Sequence, residues 1–169
     1  RSSVPMGAST RNAGFACFGS LTELIADSEI MGWQKTLELV KMRFDGLQKI
    51  QTYFKAETID FEWCGGYEIL NDDSVLSKID EVNARLKNIT GIQKTYFVSD
   101  SKIREFGLGK TKTLIENSLE GSLHSGKLLQ QLLQKCYDLK VEFLFGTEVL
   151  EISETFESTT TVPYSGIFL

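Results

Sequence analysis

The chain has 169 residues, of which 41% are hydrophobic and 24% charged, and its net charge is −5. That length and composition suit one sizeable folded domain, or a domain with an extension, and not a disordered chain. The negative balance disfavours binding to nucleic-acid phosphates, and no apolar run approaches the roughly 18 residues of a membrane span.

Residues 1–19 are rich in Gly, Ala and Ser and read as loop. Ser20-Leu21-Thr22-Glu23 has the form of a capping box, so a short helix is expected to about Ser28. The strongest helix follows from about Gly32 to Lys55. There Trp33, Leu37, Val40, Phe44, Leu47, Ile50 and Phe54 recur at three- and four-residue spacing and form one apolar stripe. Ile59-Asp60-Phe61-Glu62-Trp63 alternates apolar and polar, as a half-buried strand does. Gly65-Gly66 marks a bend or bulge, and Tyr67–Leu70 resumes a strand. Val75, Ile79, Val82 and Leu86 mark a second amphipathic helix. Thr95–Val98 reads as a strand, and Asp100 as the cap of a brief helix ended by Gly107. Thr113–Leu119 reads as a further strand. Leu128, Leu129, Leu132, Leu133, Cys136 and Tyr137 form the stripe of a third helix. Strands are then expected at Val141–Phe145 and Glu148–Ile152, and the tail at Glu157–Val162 is compatible with one more. The elements define an α+β fold related to α/β, with a mixed sheet and flanking helices.

Three widely spaced cysteines, Cys17, Cys64 and Cys136, offer neither a disulfide framework nor a zinc pattern. With no apolar signal-peptide core in Arg1-Ser2-Ser3-Val4-Pro5, they lead us to expect a cytoplasmic protein. No cluster of His, Cys and carboxylates has metal spacing, so no metal is expected. Gly107-Leu108-Gly109-Lys110-Thr111 echoes the end of a phosphate-binding loop, but Arg104 stands where the first glycine belongs. A surface turn with solvated lysines explains it better.

Two blocks carry a family resemblance. The first is Gly7-Ala8-Ser9-Thr10-Arg11-Asn12-Ala13-Gly14 and the second is Gly121-Ser122-Leu123-His124-Ser125-Gly126-Lys127-Leu128-Leu129. Together with Gly146-Thr147-Glu148-Val149, they resemble the amino-acid-oxidase-like (DAO, glycine-oxidase-like) family of FAD-dependent oxidoreductases. The resemblance implies that Ser9, Thr10, Arg11, Asn12, Ala13 and Gly14 run along the FAD pyrophosphate toward the flavin, and that Val149 meets the adenine ring. Small side chains let a backbone approach a cofactor, and hydroxyls, amides and a guanidinium suit phosphate oxygens. The segment Cys64–Leu70 is similar to the opening of the family's substrate-domain sheet, which makes Tyr67 a candidate substrate residue. His124, the only histidine, is a second candidate near the flavin or in proton transfer. No catalytic residue is assigned.

The family's Gly-x-Gly-x-x-Gly run, which holds the pyrophosphate at a helix N-terminus, does not occur in this sequence. The resemblance therefore implies a fragment lacking that N-terminal unit and the C-terminal part, and not competent alone. Its expected parts are a partial FAD-binding segment (1–30), a helical and substrate-domain segment (31–120) and a return to the FAD-binding domain (121–169). The expected function is oxidation of a small amine or amino acid by hydride transfer to FAD. The alternative is a non-enzymatic α/β interaction module, with the long helix a candidate homodimer contact.

Overall fold

The computed structural model describes residues 7–71 and 73–148. The chain divides into two compact units: residues 14–124, and residues 1–13 with 125–169. The larger unit runs β1 (Phe15–Ala16), α1 (Leu21–Tyr53), α2 (Ala56–Ile59), β2 (Gly66–Leu70), a 3-10 turn (Leu76–Lys78), α3 (Ile79–Thr90), β3 (Tyr96–Val98), α4 (Ser101–Glu105), β4 (Thr113–Asn117) and β5 (Gly121–Ser122). The fold is α+β. The expected mixture of parallel and antiparallel pairing is not seen among the described residues. There the pairings form two antiparallel sheets, β1-β5 and β2-β4-β3.

The capping reading of Ser20 holds. Its Oγ accepts the Glu23 N–H at 3.3 Å and so satisfies one of the free amides that open α1. Glu23 turns its carboxylate to Arg43 at 2.8 Å. The two helices expected on either side of residues 28–32 follow one another directly, separated only by Gly32 at φ 80°, ψ 154°. That region is essentially closed to side chains, so glycine permits the break. The carbonyl of Gly32 then accepts the hydroxyl of buried Thr36 at 3.1 Å, which ties the break to the second helical segment.

Beyond the break, Val40, Phe44 and Leu47 of the apolar stripe are buried. Phe18 meets Phe44 edge-on, with ring centroids 5.3 Å apart. Each such side chain contributes about 1.5–3 kcal/mol on burial. The stripe fades toward its ends, where Trp33 and Phe54 are only half-buried. Trp33 instead carries the Arg85 guanidinium 4.5 Å above its ring. α1 packs on α3, whose Val82 and Leu86 are fully buried.

In the three-stranded sheet β4 is central, with Leu114 and Ile115 buried. The register aligns Gly66, Asn117 and Tyr96 in one row and Tyr67, Glu116 and Phe97 in the next. β3 is an edge strand, and buried Asn83 from α3 serves it as a peptide would. Asn83 Nδ2 donates to the Tyr96 carbonyl at 2.8 Å, and its Oδ1 accepts the Tyr96 N–H at 2.9 Å. β4 ends where the Asn117 side chain takes the Leu119 N–H at 3.0 Å, an Asx-type turn that starves the ladder of a donor.

Three local expectations need correction. Ile59–Trp63 is not a strand. Ile59 closes α2, and Asp60 at φ 49° sits in the left-handed region and sends its N–H back to Ala56. Only Glu62 keeps a sheet contact, an isolated bridge to Ser122. Asp100 does not cap α4 with its side chain; its Oδ1 accepts the Leu114 N–H at 2.9 Å and so fastens α4 to β4. Val141–Phe145 forms no strand. Its backbone leaves the helix through Lys140 at φ 64°, and Phe143 rests against Tyr137 and Phe145, with centroids 5.1 and 5.6 Å away. A strand needs a ladder partner, and none stands beside this stretch among the described residues. The strands expected within 148–152 and 157–162 fall outside the described residues, apart from Glu148, which has no strand structure.

The smaller unit, in its described residues, is a 3-10 turn (Ala8–Arg11) against the helix α5 (Ser125–Asp138). Leu129 is the buried residue of α5.

Candidate functional site

The small-residue arm folds into one tight turn. Gly7 is extended, at φ −81° and ψ −163°, and its carbonyl accepts both the N–H and the hydroxyl of Thr10, at 3.2 and 2.9 Å. This closes the 3-10 turn, leaving Thr10 half-buried and Ser9, Arg11, Asn12 and Ala13 exposed. A side chain at Gly7 would meet nothing within 4 Å, so the approach to the arm's backbone is open there. Ser125, the first residue of α5, donates its Oγ to the Asn12 carbonyl at 3.0 Å.

Gly14 belongs to the other unit and has a different task. It is buried at φ 84°, its carbonyl accepts the Leu123 N–H at 2.9 Å, and a Cβ there would come 2.2 Å from the Leu123 carbonyl oxygen. Only glycine permits that approach. Val149 lies outside the described residues.

Tyr67 stands on β2, half-buried, on the same face of the sheet as Glu116 and Phe97. Its ring meets Phe106 edge-on with centroids 5.0 Å apart, and Lys102 lies 5.8 Å from the Phe106 ring centre. Burial and then the Glu116 carboxylate push the Tyr67 phenol above its ordinary range, with Lys102 opposing. It therefore stays protonated and can donate a hydrogen bond. His124 is exposed just after β5, and its backbone N–H is given to the Ile59 carbonyl at 2.8 Å. The structure thus gathers Ser9 to Ala13 on one turn, while Tyr67 and His124 stand on separate elements of the other unit.

The most perturbed carboxyl is one the sequence did not point to. Glu120 is buried between β4 and β5, and its Oε1 accepts the Phe18 N–H at 3.2 Å. Burial pushes it up to about 7, with the Glu23 charge adding to the rise. The Phe18 and Gly19 amides and the Asn117 side chain pull the other way. Gly66 leaves room for this side chain: a Cβ there would fall 1.9 Å from Glu120 Oε2. Beside it lies a cavity of about 20 Å³, lined in part by Glu68, Tyr96, Asn117 and Glu120. Tyr96 donates its phenol to the Gly19 carbonyl, and burial raises its pKa strongly. Asn117 Nδ2 lies close to Glu120 without a well-formed hydrogen bond. The sequence hid this group because its partners lie as far as 102 residues away.

Among the described residues no set of three His, Cys, Asp or Glu side chains could hold a metal ion. Burial and the Glu120 and Glu23 charges push the Cys17 thiol up, away from the nucleophilic thiolate. Gly107–Thr111 is a turn following α4, not a loop leaving a buried strand, as expected. Among the described residues no helix is long and apolar enough to cross a membrane.

The family model for FAD dependent oxidoreductases, DAO, matches residues 1–166. The chain belongs to that family, whose cofactor is FAD. No curated protein and no solved structure matches the chain. The residue types of the 7–13 turn fit a phosphate-bearing cofactor: Ser9 and Arg11 are exposed, beside the small residues Gly7 and Ala8.

Proposed function

We propose that this chain supplies part of the cofactor side and part of the substrate side of an oxidase or dehydrogenase acting on a small amine or amino acid. Residues 1–30 and 121–169 belong to the cofactor side, and residues 31–120 carry the substrate side. Bound FAD supplies the redox chemistry, taking up a hydride from the carbon that bears the nitrogen. Ser9, Thr10, Arg11, Asn12 and Ala13 would hold the pyrophosphate, Gly14 serves by the tight backbone approach that ends the arm, and by the family resemblance backbone groups of Val149 would meet the adenine. Arg11 offsets the phosphate charge. Tyr67, with Phe106 edge-on beside it, presents an aromatic wall and a phenol donor to the substrate, and His124, from the cofactor-side segment, is the second candidate for substrate contact.

The observation that carries this reading is the exposed turn at residues 7–13, where the small residues and the donors coincide. The test is direct. The full-length protein that carries this chain is titrated with FAD, then mixed anaerobically with small primary and secondary amines and amino acids. Saturable FAD binding and substrate-dependent bleaching of the flavin absorbance are expected. A protein that takes up no FAD overturns the reading, and one that binds FAD but is bleached by no amine overturns its substrate class.

A further inference from the structure

We propose that Ser125 is a positioning residue for the cofactor arm, acting through the carbonyl of Asn12. The inference rests on the flavin reading above and adds to it a residue that touches no cofactor itself.

The arm's internal bonds are local. Thr10 closes onto Gly7 through its N–H and its hydroxyl, which gives the turn its shape but does not fix its place. Ser125 Oγ reaches the Asn12 carbonyl at 3.0 Å from 113 residues away, and Ser125 is the first residue of a 14-residue helix. Besides packing of the turn on α5, this bond ties the end of the turn to a rigid element. A serine hydroxyl has one proton, and here it is committed to the arm. The bond also orients a peptide. In a trans peptide the C=O and the following N–H point in opposite directions. Holding the Asn12 carbonyl toward Ser125 therefore aims the Ala13 N–H away from it. Asn12 and Ala13 are both exposed, so an amide donor is presented on the open side of the arm, beside the Asn12 and Arg11 side chains. An anion bound there meets a donor whose direction is already set, which lowers the ordering cost of binding.

The experiment compares wild type, Ser125→Ala and Ser125→Thr, each in the full-length protein, in two readouts. The first is amide hydrogen exchange across residues 7–13 without flavin. The second is the Kd for FAD alone. A neutral side-chain to backbone bond of this kind is worth about a 2- to 10-fold change in an equilibrium constant. The alanine variant is expected to exchange faster in the arm and to bind FAD about 2- to 10-fold more weakly, with an unchanged global unfolding midpoint. The threonine variant, which keeps the hydroxyl, is expected to restore both. An alanine variant equal to wild type in exchange and affinity, or a threonine variant as impaired as the alanine one, overturns the assignment. Wild type that binds no FAD overturns the flavin reading itself, while the exchange data still report whether Ser125 holds the arm.

Discussion

Glu120→Gln probes the most perturbed carboxyl of the larger unit. In the folded chain burial pushes Glu120 from its ordinary 4.5 up to about 7. The folded state therefore holds a proton on this carboxyl between those values, where the unfolded state has released it. The sign follows: stability from this group is fully present below about 4.5 and is lost as pH rises through about 7. At 1.36 kcal/mol per pH unit the gap of about 2.5 units corresponds to a loss on the order of 3 kcal/mol, a large share of a typical domain's 5–15 kcal/mol. Gln keeps an acceptor for the Phe18 N–H and nearly the same volume, but it cannot ionise. The assay is urea unfolding of both proteins at steps from pH 4.5 to 8.5, compared as a difference so that other titrating groups cancel. The difference should grow in favour of the variant as pH rises and level off above about pH 8. Parallel stability profiles for the two proteins would refute the assignment of a buried, neutral Glu120.

Two further substitutions test the scaffold. Gly32→Ala should cost about 1–3 kcal/mol from the backbone alone, since nothing lies within 4 Å of a Cβ there to add a clash; thermal unfolding measures it, and an unchanged midpoint would show that the break in α1 is not required. Asn83→Leu removes the partners of both the Tyr96 N–H and C=O and should destabilise by about 2–6 kcal/mol, at about 1–3 kcal/mol per orphaned group. Hydrogen exchange at Tyr96 should accelerate with it, and protection that persists would mean that β3 does not depend on this clamp.

The elements legible in the sequence were those whose evidence is local. The stripe from Trp33 to Phe54 declares a helix because seven apolar residues return to one face at a 3.6-residue period. Gly32 announced itself as a boundary because glycine alone tolerates the conformation the chain takes there. Ile59–Trp63 misled for the same reason that local patterns usually inform. Its alternation suits a strand, yet the apolar positions are satisfied differently: Ile59 is buried at the end of α2, and Phe61 is buried beside Trp63, whose ring lies edge-on 4.9 Å away. The left-handed Asp60 between them leaves no trace in hydrophobic periodicity. Val141–Phe145 failed through pairing. An apolar alternating run becomes a strand only beside another strand, and that neighbour is a property of the whole molecule.

The candidate site divides along the same line. The arm at Gly7–Asn12 was legible as an irregular small-residue segment, and the structure folds it into one exposed 3-10 turn; its hydroxyl, amide and guanidinium groups are what make it the proposed place for phosphate oxygens. What holds that arm was not legible. Nothing in the sequence around Ser125 says that its hydroxyl meets the Asn12 carbonyl, just as nothing around Gly66 says that its missing side chain makes room for Glu120. In both cases the decisive contact comes from a segment distant in sequence, and no local pattern announces it. Substitutions at Ser125 and Gly66 should therefore disturb function or stability out of proportion to their apparent simplicity, because each sets the position of atoms that local sequence places only approximately.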